Sequence, residues 1–140
     1  MVLSRRDCCL LLSAFAPALG MGAEETLLTS KAARFEDLPV RKDGDNEFRP
    51  VLEGASHAGC PLEVHETRLA PGSMPHPAHH HVHEEMFLVR EGTIEATING
   101  KATRLGPGSV AFMASNDEHG IRNVGTTAAQ YFVIAIGKDA

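Results

Sequence analysis

The stretch HHHVHEEMFLVREG, residues 79–92, joins a histidine-rich segment to an apolar β-like run. Alternate side chains of an extended chain share a face, so His79 and His81 point one way and His80 points the other. Glu85 has the parity of His81, although a turn can intervene between them. Two imidazoles and one carboxylate on one face can bind a divalent metal ion at about 2 Å. Three ligands from one segment seldom close a site, so a fourth is expected from elsewhere.

The fourth ligand is expected in ASNDEHGIRN, residues 114–123, which holds the one histidine downstream of residue 83. His119 opens a β-like run directly after a turn-forming SND segment, so an antiparallel neighbour can bring it to His79 and His81. The other histidines are not expected to be ligands. His57 lies in a loop and His65 on a polar strand face, and His76, His80 and His83 are interpreted as rim residues or as residues packed around the ligands.

From residue 48 onward, short β-like runs are separated by Gly, Pro and Asn. LEVHETRLAPG (62–72) and TIEATING (93–100) alternate between two faces, while EMFLVREG (85–92) is nearly continuous apolar, as in a strand buried on both sides. About eight strands follow one another at spacings of about 8–12 residues, with no convincing amphipathic helix, which predicts an all-β fold: a small antiparallel β-barrel or sandwich. Residues 24–47 are interpreted as an N-terminal arm with one short strand near Ala33–Phe35, and residues 48–140 as the β-barrel domain.

The two histidine segments resemble the paired motifs of the cupin superfamily. His79-x-His81, three residues, Glu85, six residues and Gly92 match the first motif from its His-x-His onward. Gly72 lies one residue further from His79 than the commonest spacing. In the second motif His119 and Asn123 match, whereas Ala114 replaces the usual Pro and Asn116 the usual Gly. Asn tolerates a left-handed turn better than other non-glycine residues, so the backbone requirement is kept.

The resemblance spans about residues 62–136 and implies a cupin-like jelly roll with His79, His81, Glu85 and His119 as metal ligands. Asn123 is interpreted as a structural hydrogen-bonding residue. This nitrogen and oxygen donor set suits Fe, Mn, Ni, Co, Cu or Zn without choosing among them. The apolar side chains expected to line the cavity are Phe87, Val89, Phe112 and Phe132.

Several functions are compatible with such a site, because one fold hosts many chemistries. The first is a metal-dependent, dioxygenase-like enzyme acting on a small oxygenated organic molecule. The second is a metal-dependent decarboxylase or isomerase, which needs a proton donor inside the barrel. The third is a non-catalytic module that binds a small sugar or acid.

The N-terminal segment MVLSRRDCCLLLSAFAPALGMGA, residues 1–23, has a basic start, an apolar stretch and small residues at its end. This layout predicts a signal peptide cleaved between Gly20 and Glu24, and Arg5–Arg6 within SRRD resembles a twin-arginine export signal. The expected location is therefore periplasmic or extracellular. Cleavage would leave Cys60 as the single cysteine, which excludes an internal disulfide.

Charge and length limit the partners of the protein. A net charge of −5 over 140 residues argues against a nucleic-acid partner, because phosphate binding needs a basic face. The expected partner is a small-molecule substrate or ligand. The mature chain has no apolar run of membrane-spanning length, and a homodimer is expected, with the arm at 24–50 available for the contact.

Overall fold

The computed structural model describes residues 26–140, and the predicted signal peptide lies outside them. Nine strands and one 3-10 turn form the described chain. The strands are β1 (Arg41–Asp43), β2 (Asn46–Ala55), β3 (Pro61–Leu69), β4 (Glu84–Glu91), β5 (Ile94–Ile98), β6 (Lys101–Leu105), β7 (Val110–Met113), β8 (His119–Asn123) and β9 (Ala129–Ile136). The predicted all-β fold is confirmed.

All strand pairs are antiparallel and lie in two sheets. One sheet has six strands in the order β1-β2-β3-β9-β4-β7, and the other has three in the order β6-β5-β8. The jelly roll is therefore made of two facing sheets rather than one continuous hydrogen-bonded ring. Within residues 26–140, no helix is long and apolar enough to cross a membrane.

The core lies between the two sheets, because both contribute inward side chains. Strand β9 shows the period-two pattern most clearly: Ala129, Tyr131, Val133 and Ala135 are buried, and the residues between them are half-buried. The central cluster of buried residues also draws on the other strands: Leu69, Phe87, Val89, Ile94, Met113 and Ile121.

The prediction that β4 is buried on both sides is wrong. Phe87 and Val89 point into the core, as expected, but Leu88 points outward and is 39% exposed. Phe112 and Phe132 do not line the cavity either, because Phe112 pairs with Met86 and Phe132 with Leu88, which gives both phenylalanines outward parity. Phe112 is 50% exposed.

These outward side chains form a surface that we call the outer apolar face. On β4, this face is bounded by acidic Glu84 at one end and basic Arg90 at the other. It consists of Met86, Leu88, Val110, Phe112, Phe132 and Ile134.

The N-terminal arm folds onto its own chain. Leu28 and Ala55 join it to β2 through the hydrogen bonds Leu28 N to Ala55 O and Ala55 N to Thr26 O. The short strand predicted near Ala33–Phe35 is wrong, because Phe35–Asp37 form a 3-10 turn closed by the hydrogen bond from Leu38 N to Phe35 O. The Arg34 guanidinium also donates to the Asp37 carboxylate.

The Phe35 ring packs under two guanidinium groups of the large sheet, 5.0 Å from Arg49 and 4.0 Å from Arg90. Next to them, the fully buried Glu66 accepts a 3.0 Å hydrogen bond from Arg49. Burial raises the pKa of Glu66 despite this cation.

Candidate metal centre

The histidine-rich segment is attached to β8 by backbone hydrogen bonds. The backbone amide of His79 donates to the carbonyl of His119 at 3.0 Å, and the amide of His119 donates to the carbonyl of His79 at 2.8 Å. The backbone amide of Asn116 donates to the carbonyl of His81. Further along the chain, the backbone amide of Asn123 donates to the carbonyl of Ser73. These bonds bring His119 beside residues that precede it by almost forty positions, as the antiparallel arrangement predicted.

Three of the four candidate ligands meet at this junction, and the fourth, Glu85, lies against two of them. The donor nitrogens of His79, His81 and His119 all lie within 4.8 Å of one another. Glu85, at the start of β4, reaches two of these rings: its Oε2 is 3.2 Å from His119 Nε2, and its Oε1 is 3.4 Å from His81 Nε2.

Hydrogen bonds on the far side of each ring determine its tautomer. His81 Nδ1 lies 2.8 Å from the carbonyl of His83, and His119 Nδ1 lies 2.8 Å from the carbonyl of Asp117. A carbonyl oxygen can only accept, so each Nδ1 carries the proton and a neutral ring keeps a bare lone pair on Nε2. A similar but longer contact, 3.4 Å, joins His79 Nδ1 to the carbonyl of Pro77.

The bare nitrogens of this centre have no internal partner. The Nε2 atoms of His81 and His119 are buried without a hydrogen bond among the described residues. Leaving such an atom unpaired costs about 1–3 kcal/mol, and a lone pair facing a carboxylate adds repulsion. A divalent cation between these nitrogens and Glu85 would remove both penalties, so the residues present fit a metal ion.

His79 is also suited to metal binding at neutral pH. Burial lowers its pKa, and the neighbouring His76, whose ring lies 4.1 Å away, lowers it further. The neutral imidazole that results is the form that binds a metal.

The other predicted positions in the two motifs behave as expected. Asn116 adopts a φ of 64°, so it supplies the left-handed turn for which the motif usually has glycine. Asn123 is fully buried, donates to the carbonyls of Leu69 and Thr127, and accepts from the amide of Gly125. Its structural role is confirmed.

The remaining histidines of the cluster differ in position. His80 is exposed and His76 lies at the cavity mouth, as expected for rim residues. His83 does not lie at the rim: its ring stacks on that of His81 at 3.6 Å, and its Nε2 is 3.5 Å from Glu85 Oε1. The alternating parity that selected His79 and His81 also includes His83.

A cavity of about 370 Å³ opens beside the candidate ligands. Glu85 and His119 contribute to its wall, and the hairpin strand β1 lies at its edge. Burial raises the pKa of Tyr131, so this wall residue stays a neutral phenol at physiological pH. The apolar part of the lining is Phe48, Leu69, Pro75, Phe87, Ile121, Tyr131 and Val133.

One residue of the cavity wall, His65, was not expected there from the sequence. His65, assigned to a polar strand face, lines the cavity, and its Nδ1 lies 2.8 and 2.9 Å from the two carboxylate oxygens of Glu63. The Phe48 ring packs against His65 at 4.4 Å. The sequence predicts the alternation in β3, but the polar side of the strand, with His65, faces the cavity, and Val64 faces outward.

Known proteins share this architecture. An RmlC-like cupin from Shewanella frigidimarina superimposes with a TM-score of 0.66 at 16% identity, covering 83% of this chain and 96% of the other. A predicted oxalate decarboxylase from Thermotoga maritima superimposes with a TM-score of 0.67 at 22% identity, covering 77% and 100%. At these identities the likeness shows the fold alone.

Sequence comparison adds a closer relative and the family. L-ectoine synthase from Bordetella parapertussis is 36% identical over 62 residues, which is 44% of this chain and 47% of the enzyme. The chain thus matches about half the length of this curated relative. The Cupin_2 family, described as a cupin domain, matches residues 65–135, half of the chain and both histidine segments. The chain belongs to the cupin family.

Proposed function

We propose that this protein is a metal-dependent enzyme that acts on a small oxygenated organic molecule bound in the cavity, with His79, His81, Glu85 and His119 as the metal ligands. The observation that carries the proposal is the pair of buried, unpartnered Nε2 atoms on His81 and His119, both within 3.4 Å of Glu85. When bound, the ion would act as a Lewis acid and polarise a substrate oxygen.

The chain's own residues would bind and shield the substrate. A metal that prefers about six ligands keeps about two positions free beside four protein donors. The cavity is lined by Glu85 and His119, and its apolar wall, including Phe87 and Ile121, would exclude water around the substrate. We propose a dioxygenase-like reaction as the first candidate, because it needs only this centre and an apolar cavity.

A lyase or isomerase reaction is the second candidate, and the pair of His65 and Glu63 favours it. The Nδ1 proton of His65 is directed at the Glu63 carboxylate, which leaves Nε2 available to the cavity in the neutral ring. A histidine oriented by a carboxylate can take up and return a proton near neutral pH. This supplies the proton donor that such a reaction requires.

Metal analysis of the protein purified from its native compartment tests the centre itself. The wild-type protein should contain about one divalent ion per chain, and His81→Ala should lose it, whereas the neighbouring exposed His80→Ala should keep it. Equal metal content in the two variants would overturn the ligand assignment.

Oxygen dependence separates the two reaction classes. The metal-loaded protein is offered a panel of catechols, flavonols, diketones and hydroxy acids, with and without dioxygen. Turnover that requires dioxygen and survives His65→Gln supports the dioxygenase-like reaction. Turnover without dioxygen that His65→Gln abolishes supports the lyase or isomerase. Tight binding without turnover in both conditions would support a binding module instead.

We also propose that the protein is exported by a twin-arginine pathway, which moves folded proteins. Folding before export would allow the metal to be loaded inside the cell, away from tighter-binding copper and zinc. Replacing both arginines, Arg5→Lys and Arg6→Lys, should retain the precursor in the cytoplasm. Export of this variant at the normal rate would contradict the proposal.

A further inference from the structure

His83 lies against the metal centre in a way that a rim residue would not. Its ring is parallel to that of His81, with 3.6 Å between centroids and 12° between planes. Its Nε2 is 3.5 Å from Glu85 Oε1, about as close as the Nε2 of His81 at 3.4 Å. Its Nδ1 is buried and has no hydrogen-bond partner among the described residues.

The two oxygens of Glu85 face different groups. Oε2 faces His119, while Oε1 faces both His81 and His83. The potential donor atoms of His81, His83 and Glu85 all lie within 4.8 Å of one another, as do those of His79, His81 and His119. The centre thus contains two donor sets that share His81.

We propose that His83 is a further metal ligand, and that His81, His83 and Glu85 form a second position for a divalent cation overlapping the first. This inference rests on the proposed metal centre. His81 Nε2 has one lone pair and binds one cation at a time, so the two positions are alternatives. One ion per chain is expected, held at either position.

This arrangement has a measurable consequence. Because Glu85 also belongs to the proposed first position, loss of His79 alone would leave three donors there. Loss of His79 and His119 together removes two ligands from the first position and leaves the second complete. The ion should then move rather than be lost, and its retention should depend on His83. His80 provides the matched control, because it lies in the same segment and is exposed on the opposite parity.

The experiment measures Co(II) binding by absorption spectroscopy and by calorimetric titration in three proteins: the His79→Gln/His119→Gln background, and this background with either His83→Gln or His80→Gln added. Circular dichroism checks the fold of each. We expect the background to bind about one Co(II) per chain with a spectrum that differs from that of the wild type. We expect the His83 variant of the background to bind at least tenfold more weakly than the His80 variant.

Equal affinities in the His83 and His80 variants, or no binding by the background while the wild type binds, would overturn the inference and leave the proposed function intact. Absence of Co(II) binding by the wild type would overturn both. Should the background impair folding, His79→Asn and His119→Asn replace the two glutamine substitutions in the same comparison, because His79 and His119 belong only to the first donor set.

Discussion

Gly92 is the motif glycine that ends the histidine–glutamate segment, and the structure gives two physical reasons for it. Its φ is +76°, which is the left-handed region that side chains rarely adopt. A Cβ built there would also lie 2.6 Å from Ala129 Cα and 2.7 Å from Ala128 O. Replacement by alanine therefore meets both backbone strain and a clash with backbone atoms of β9 and the residue before it.

A comparison with Gly100 separates the cost of backbone strain from the cost of the clash. It has nearly the same φ, +78°, but a Cβ there would meet nothing within 4 Å. Gly100→Ala should cost only the left-handed strain, about 1–2 kcal/mol. Gly92→Ala should cost that amount plus the shift of packed backbone, for which overpacking data suggest about 1–3 kcal/mol more.

Urea unfolding of the two variants and the wild type, followed by circular dichroism, gives the required free energies of unfolding. We expect Gly92→Ala to be less stable than Gly100→Ala by about 1–3 kcal/mol. If the two variants differ by less than about 0.5 kcal/mol, the ordinary error of such comparisons, the clash at β9 contributes nothing and the reasoning fails.

Three further predictions concern stability and assembly. Asn123→Ala leaves two carbonyls and an amide without their partner and should lower the free energy of unfolding by about 2–5 kcal/mol in urea titrations; a loss below about 1 kcal/mol would contradict this. Burial raises the folded-state pKa of Glu66 despite Arg49, so its contribution to stability is full below the unfolded pKa and falls as pH rises through the folded one. The stability of Glu66→Gln relative to wild type should therefore increase between about pH 4 and pH 7, and a decrease would refute the sign. The opposite charges at the two ends of the outer apolar face make this face complementary to that of a second, antiparallel copy. Sedimentation equilibrium should show a dimer that Phe112→Ser dissociates, whereas Val82→Ser, at an equally exposed residue, should leave it intact. A monomeric wild type would refute the predicted dimer.

The gathering of His79, His81 and His119 could be predicted because local backbone geometry determines most of it. The two-residue periodicity of an extended chain places His79 and His81 on one face. Asn116 could be assigned a left-handed turn from its residue type, and its φ of 64° agrees. His119 was the one downstream histidine, so only the antiparallel pairing had to be assumed.

The walls around the centre were harder to predict, because they depend on which face of each strand is inward. In β3, Val64 faces outward and His65 lines the cavity, the reverse of the simple expectation that apolar residues point inside. In β4 and β7 the outer face is apolar as well, so hydrophobicity could not tell Phe87 from Phe112. A one-residue change in strand register exchanges the two faces, and composition alone does not report the register.

His83 shows that the spacing of a family motif can exclude a residue that lies at the site. The motif contains two histidines before the glutamate, so a third at the same parity was set aside although it extends the series 79, 81, 83, 85. The bends at residues 82 and 83 then fold the segment so that the His83 ring lies on that of His81. Parity alone would have included His83, and spacing alone would have excluded it. The Co(II) comparison of the His83 and His80 variants decides whether a side chain outside the motif contributes to metal binding.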